Sequence, residues 1–100
     1  MEHIQIDESE LRLMELIWDH APVRSTVLAQ MAGEILGWKK STVFTVIKKL
    51  AGRGILLNEN AIVTPLVSRE QVMLSESKSL IDKLFQGSSR LFLTNFLSKE

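Results

Sequence analysis

The sequence WKKSTVFTVIKKLAGRG, residues 38–54, carries the strongest structural signal in this chain. Apolar residues recur in it at i, i+3, i+4 and i+7, the buried stripe of an amphipathic helix: Val43, Val46, Ile47 and Leu50. Polar residues fill the opposite side, together with Phe44. The stretch has five positive charges and no negative one, although the net charge of the whole chain is zero. A helix with this exposed face predicts a polyanionic partner.

The composition predicts one small domain with a short extension. The chain has 100 residues, 45% of them hydrophobic, which suffices for a small core but not for a large enzyme cleft. With no cysteine, it has no disulfide, no thiolate metal site and no cysteine nucleophile. Neither a membrane span nor a signal peptide is recognisable. We therefore expect a cytoplasmic protein that needs no cofactor or metal and, without a catalytic constellation, is not an enzyme.

The charges are distributed unevenly along the chain. Residues 1–20 have a balance of minus five, whereas residues 38–54 have a balance of plus five. This asymmetry predicts a dipolar domain that approaches DNA with one face and binds it in a salt-dependent way. Two separately solvated charged faces would give the same totals, so this alternative stays open.

Two helices are predicted before the basic one. The first begins at Asp7 or Ser9, either of which is a good N-cap, and ends before Pro22. Its predicted buried residues are Leu11, Leu13, Met14, Ile17 and Trp18.

The second helix is expected from Ser25, as N-cap, to a glycine C-cap at Gly37. Its predicted buried stripe comprises Leu28, Met31, Ala32 and Ile35. Only residues 38–40 separate this helix from the basic one, for which Ser41 is the predicted N-cap. Two helices joined so tightly, the second basic and rich in hydroxyl groups, indicate a helix-turn-helix.

A β-hairpin is predicted after the basic helix. The runs 55–57 and 61–63 are apolar, and Asn58-Glu59-Asn60 between them is a turn-forming trio. The predicted fold class is therefore mainly α, a winged helix-turn-helix of three helices plus a small β-hairpin. A generic three-helix bundle would explain the same apolar stripes, but not the charge on the exposed side of one helix.

Two C-terminal dimerisation helices are predicted after the wing. We divide the chain into a winged-helix DNA-binding domain, residues 1–66, and a helical dimerisation region, residues 67–100. The apolar faces of the last two helices are expected to bury against a second copy of the chain. Folding back onto their own domain is the alternative. The predicted dimerisation residues are Leu80, Leu84, Phe85, Phe92, Phe96 and Leu97.

Four segments together resemble one family. They are IWDHAP (17–22), GWKKSTVFTVIKKLAGRG (37–54), TPLVSRE (64–70) and ESKSLIDKLFQGS (76–88). Their order and spacing resemble the penicillinase repressor family of bacterial winged-helix regulators (BlaI, MecI and CopY). The resemblance implies a homodimeric repressor that binds a palindromic operator, controls a resistance operon of the β-lactam type and is removed on induction.

The resemblance also implies a DNA-binding surface. Base edges would be read by Ser41, Thr42, Phe44 and Thr45, and phosphates or groove edges would be contacted by Lys39, Lys40, Lys48 and Lys49. Relatives usually have a longer polar side chain in place of Phe44 and a lysine in place of Ser41. Trp38 is expected to pack under the turn and to set the angle of the reading helix.

The resemblance has further implications for the wing and the C-terminus. The wing is shorter than usual and has Glu59 at its tip, a poor clamp for phosphate. LTNFLSKE (93–100) resembles the segment where β-lactam-responsive members are cut by an inducer-activated protease, with the cleaved bond at Asn95-Phe96. A buried Phe96 with a surface Asn95 is an equally good interpretation. Relatives continue with a further helix, so we expect a weaker dimer or a truncated form.

The sequence also bears on two other functions. A copper-type repressor is disfavoured because that branch uses a C-terminal cysteine cluster and this chain has no cysteine. A winged helix that binds an acidic protein instead of DNA remains the principal alternative.

Overall fold

The computed structural model describes residues 4–75, and most of its elements are helical. In chain order the elements are α1 (Glu8–His20), β1 (Val23–Arg24), α2 (Ser25–Leu36), α3 (Lys40–Gly52), β2 (Leu56–Glu59) and β3 (Ile62–Pro65). Residues 5–69 form one compact unit, while Ile4 and residues 70–75 belong to a second. Residues 69–75 are helical too. Outside the described residues lie the last predicted helix, the bond Asn95-Phe96 and the predicted dimerisation residues Leu80, Leu84, Phe85, Phe92, Phe96 and Leu97.

The first helix begins with a capping box. The backbone N–H of Glu10 donates to Asp7 Oδ1 at 2.8 Å, and the backbone N–H of Asp7 donates to Glu10 Oε1 at 3.0 Å. The predicted start at Asp7 is thus confirmed. The predicted burial of Leu11 is wrong, because this residue lies about 160° around the helix from Leu13 and is exposed. The buried residues are Glu10, Leu13, Met14, Leu16 and Ile17.

The second helix differs from its prediction at the N-terminal end and in part of its buried stripe. Its N-cap is Arg24, and Ser25 is the first helical residue and buried. Arg24 also belongs to β1, which is only two residues long, too short to give a periodic signal. The buried stripe consists of Ser25, Leu28, Ala29 and Ala32. Half-buried Leu36 continues this stripe, so Ile35 faces outward. The predicted burial of Ile35 is therefore wrong, because this residue is 62% exposed. Met31, also predicted to be buried, is half-buried.

The third helix has the predicted buried stripe. Val43, Ile47 and Leu50 are fully buried or nearly so, and Val46 is half-buried. Gly37, with φ of 72°, adopts the predicted left-handed conformation after α2. The helix begins two residues earlier than predicted, with Lys39 as N-cap and no side-chain cap. The hydroxyl of Ser41 is therefore not used for capping.

The three strands form an antiparallel sheet in the order β1-β3-β2. The predicted turn 58–60 is wrong, because Asn58 and Glu59 continue β2 and pair with β3. The turn residues are Asn60 and Ala61, whose φ angles of 52° and 61° are typical of a tight hairpin turn. Ser25 N–H donates to Ala61 O at 2.8 Å, which joins the turn to the start of α2. Three helices followed by this hairpin are a winged helix.

One ion pair joins the start of α1 to the end of α3. Arg53 Nη1 donates to Glu10 Oε2 at 2.9 Å and Arg53 Nη2 to Glu10 Oε1 at 2.7 Å, a bidentate contact. Arg53 Nη2 also donates to Gln5 O at 2.8 Å. The Glu10 side chain is only 7% exposed. The hydrogen bonds from Arg53 lower the pKa of Glu10, because they favour the ionised carboxylate.

We predict that Ala61→Gly stabilises the protein by about 1 kcal/mol, because the left-handed conformation is strained for a residue with a Cβ. Urea unfolding at one protein concentration measures the change. Ala51→Gly is the control, since Ala51 is helical and glycine there should destabilise by about 1 kcal/mol. Equal effects of the two variants would contradict the strain at Ala61.

We also predict that Glu10→Gln lowers the free energy of unfolding by about 2 kcal/mol, because Arg53 loses its charged partner. Glutamine keeps an acceptor for the capping box. The control Glu8→Gln changes a side chain that is 84% exposed and should cost less than about 0.5 kcal/mol.

The loss in Glu10→Gln should depend on pH. Because folding lowers the pKa of Glu10, the pair stabilises the native state above the unfolded-state value of about 4.3, and this contribution disappears as the pH falls through the lowered pKa. Urea unfolding at several pH values tests this. An advantage of the wild type that persists in strong acid would contradict the assignment.

Candidate nucleic-acid interface

The exposed side of α3 is broad and polar. At about 100° per residue, the exposed residues between positions 41 and 49 follow one another around the helix over an arc of roughly 160°. Phe44 lies at one edge of this arc and Thr42 at the other, and Ser41 and Thr45 lie near its centre, opposite the buried stripe. In order around the helix, these residues are Phe44, Lys48, Ser41, Thr45, Lys49 and Thr42. We call these residues, with Lys39 and Lys40 at the helix start, the α3 surface.

The lysines of the α3 surface are not neutralised within the described part of the chain. Lys39, Lys40, Lys48 and Lys49 are all exposed, and none of them forms an ion pair with a carboxylate of residues 4–75. Lys49 exerts only a longer-range attraction on Glu10. These four ammonium groups are therefore available to a ligand.

The acidic residues of α1, by contrast, are paired internally. Glu8 pairs with Arg12 at 3.2 Å, and Glu10 pairs with Arg53. The predicted charge asymmetry needs a correction here, because Arg53 was counted with the basic segment and in fact neutralises a buried carboxylate of α1. The exposed charge of α3 consequently comes from lysines alone.

A second arginine neutralises the end of α1. Arg69 Nη2 lies 2.7 Å from Glu15 Oε2 and 3.2 Å from Asp19 Oδ1. Its guanidinium carbon lies 5.2 Å from the centre of the Trp18 ring, a cation–π distance. Trp18 Nε1 in turn donates to Val67 O at 3.0 Å. These contacts fasten the segment after the wing to α1 within the compact unit 5–69.

The hydroxyl of Thr45 is already engaged. Thr45 Oγ1 donates to Ser41 O at 2.9 Å, within α3. While this bond is present, the hydroxyl can accept a hydrogen bond from a ligand but not donate one. The side chains of Ser41 and Thr42 are exposed and make no hydrogen bond within residues 4–75.

The two aromatic residues at α3 differ in placement. Trp38 is half-buried in the connection between α2 and α3, and its backbone N–H donates to Ala32 O at 3.3 Å. This placement agrees with packing at the turn. Phe44 is 37% exposed and belongs to the exposed side of α3.

Sequence reasoning missed Glu10, which ties the end of α3 to α1. The prediction named only the N-cap of α1, although the spacing Asp7-x-x-Glu10 is a capping-box signal that places the Glu10 side chain at the helix start. Its bond to Arg53 had no comparable signal, since the two residues are 43 positions apart.

Other kinds of site have no support in the described residues. No group of three or more histidine, aspartate or glutamate side chains between residues 4 and 75 is arranged to hold a metal ion. None of the helices in this part of the chain is both long and apolar enough to cross a bilayer.

Comparison with known proteins agrees with the predicted family. The chain is 22% identical to the penicillinase repressor of Bacillus licheniformis over 100 residues, which cover 96% of this chain and 78% of the relative. The solution structure of monomeric B. licheniformis BlaI in complex with the blaP half-operator is similar in fold, with a TM-score of 0.59 and 23% identity. The similarity covers 69% of this chain and 89% of that one.

A family model also matches this chain. The model of the penicillinase repressor matches residues 6–100, nearly the entire chain. This protein therefore belongs to the penicillinase repressor family, a family of transcriptional repressors and not of enzymes.

Proposed function

We propose that this protein is a sequence-specific DNA-binding repressor that inserts α3 into the major groove of its operator. One observation carries the proposal. The four lysines of the α3 surface are exposed and form no ion pair with carboxylates of residues 4–75, whereas the carboxylates of α1 are neutralised by arginines. A polyanion is the ligand that such a surface favours. The family and the fold shared with an operator-bound relative support the same function.

The residues of the α3 surface divide into two roles. Ser41, Thr42, Phe44 and Thr45 would lie at base edges, because the N-terminal half of a recognition helix enters the groove most deeply. Lys39, Lys40, Lys48 and Lys49 would contact phosphates, where a flexible point charge is sufficient. Ser41 and Thr45 lie at the centre of the exposed arc, so they would be closest to the floor of the groove.

The orientation of one hydroxyl adds a constraint on the operator. Because Thr45 Oγ1 donates to Ser41 O, Thr45 would accept a hydrogen bond from a base. In the major groove the donors are the amino groups of adenine and cytosine. Thr45 should therefore favour one of these two bases at the position that it contacts.

The wing would contribute little to binding. Glu59 is exposed at the end of β2, next to the two turn residues. A carboxylate near phosphate would be repelled, so α3 would supply most of the affinity.

We further propose a homodimer that binds a palindromic operator. Residues 1–66 would read one half-site, and residues 67–100 would join two copies through the dimerisation residues Leu80, Leu84, Phe85, Phe92, Phe96 and Leu97. Linking two reading domains raises affinity, because the second half-site is bound at high effective concentration. Cleavage at Asn95-Phe96 by an inducer-activated protease would separate the domains and release a β-lactam-resistance-type operon. The protein would act in the cytoplasm, without a cofactor.

We predict that Lys48→Ala weakens binding to random and palindromic duplexes alike and lowers the slope of log affinity against log salt by about 1, because one phosphate contact is lost. Titrations at several salt concentrations measure both effects. Arg12→Ala on α1 removes the same charge away from α3 and should leave the slope unchanged.

Thr45→Ala provides the contrast to Lys48→Ala. It should relax the preference at one base position while leaving the salt slope unchanged. If Lys48→Ala altered sequence preference and Thr45→Ala altered the slope, the two assigned roles would be reversed. If the wild type bound no duplex at all, the DNA-binding proposal would fail in favour of an acidic protein partner.

We predict that the wild type sediments as a dimer and that Phe96→Asp sediments as a monomer, because a carboxylate at an apolar interface is desolvated without a partner. Analytical ultracentrifugation of the full chain measures this. Ser98→Asp adds the same charge nearby and should remain dimeric. A monomeric wild type, or a dimeric Phe96→Asp, would exclude the proposed interface.

A further inference from the structure

We infer that Phe44 makes the protein select thymine at one position of each half-site, by burying the thymine 5-methyl group against its ring. This inference rests on the proposed binding of α3 to DNA, and it adds the chemical group that is recognised. It concerns a residue in which this chain departs from the long polar side chain usual at this position.

The first step is the placement of the ring. Phe44 lies about 100° around α3 from Val43, at the edge of the exposed arc. Three of its neighbours on the helix surface, at i−4, i−3 and i+4, are Lys40, Ser41 and Lys48, all of them exposed, whereas Ile47 at i+3 is buried. On its exposed side the residue is thus bordered by ammonium and hydroxyl groups, on the surface that would meet the groove.

The second step is the degree of exposure. Phe44 is 37% exposed, so apolar surface remains open to a ligand at this edge of α3. Covering this surface would remove it from water, which is favourable. Ile35, which is 62% exposed, lies on α2 and outside the α3 surface.

The third step is the chemistry of the groove. A phenyl ring has no hydrogen-bond donor or acceptor, so it cannot distinguish the polar edges of bases directly. The major-groove edge of standard base pairs presents one apolar group, the 5-methyl of thymine. Next to the amino group of cytosine or adenine, the ring would displace a water molecule and leave the amino group without the hydrogen bond that this water accepted. The ring therefore favours thymine and disfavours the alternatives.

The magnitude follows from the size of the group. Burial of one methyl-sized group contributes about fourfold in affinity. With two half-sites bound by a dimer, removal of both methyl groups should cost roughly fifteenfold. These effects are small enough to leave binding measurable and large enough to be resolved by titration.

The test uses the full-length chain and the duplex that the wild type enriches from a randomised DNA pool. Each thymine in that duplex is replaced in turn by deoxyuridine, which removes the methyl group and keeps every hydrogen-bonding atom. We expect one position per half-site to lose about fourfold in affinity with the wild type, and none to lose affinity with Phe44→Ala. Placing 5-methylcytosine there should bind more tightly than cytosine with the wild type only.

A second variant distinguishes a loss of thymine contact from a folding defect in Phe44→Ala. Phe44→Gln keeps a side chain of similar length and should fold, as circular dichroism would verify. Selection with this variant should return sites that no longer prefer thymine at the sensitive position. Val27→Ala is the matched control, since Val27 is 44% exposed but lies on α2, and its deoxyuridine profile should equal that of the wild type.

Several outcomes would overturn the inference. A wild type that binds its selected duplex but tolerates deoxyuridine everywhere does not read a thymine methyl. A uracil penalty that persists in Phe44→Ala but vanishes in Thr42→Ser or Thr45→Ser assigns the contact to a threonine methyl instead. A wild type that enriches no duplex from the pool would mean that the proposed DNA-binding function itself has failed.

Discussion

The bidentate bond between Arg53 and Glu10 holds the C-terminal end of α3 against α1, in addition to the apolar packing of the helix. It joins the residue just after α3 to the first turn of α1, and the nearly buried carboxylate of Glu10 satisfies both the guanidinium and the capping box. A buried carboxylate without these partners would be costly, so the pair leaves few alternative positions for the end of α3. The apolar stripe of Val43, Ile47 and Leu50 packs the helix, and the ion pair anchors its C-terminal end.

Arginine and lysine have separate tasks in this unit. Arg53 and Arg69 each donate two or more hydrogen bonds to carboxylate oxygens, which the planar guanidinium makes possible. The lysines of the described chain are all on the α3 surface and form no ion pair there. Among residues 4–75, the ammonium groups without a carboxylate partner therefore all lie on the α3 surface.

In the proposed complex, the α3 surface would combine two physical mechanisms of recognition. Its ammonium groups would supply attraction that depends on salt and not on sequence, and its hydroxyl groups and phenyl ring would supply selectivity. The bond from Thr45 to Ser41 O restricts one of these hydroxyl groups before any ligand is bound. A restricted group loses less entropy on binding, which would help a small domain to discriminate between bases with few contacts.

Local sequence patterns were sufficient to predict that three helices are followed by a β-hairpin, and to predict the family. The helical period placed Val43, Ile47 and Leu50 in the core and left the residues of the α3 surface exposed, and the family motifs identified a repressor rather than an enzyme. These features are encoded within a few helical turns, where spacing determines which residues share a face. The assignment of the α3 surface to base edges and phosphates remains a prediction.

The tertiary structure decided the features that depend on contacts between residues distant in the sequence. Arg53 faces Glu10 instead of a ligand, β1 exists because Val23 and Arg24 pair with β3, and Ile35 is exposed because the stripe of α2 continues through Leu36. Each depends on partners distant in sequence or on the rotation of one element against its neighbours. Charge and hydrophobicity along the chain identify which residues are able to pair, but only the folded arrangement determines which of them meet.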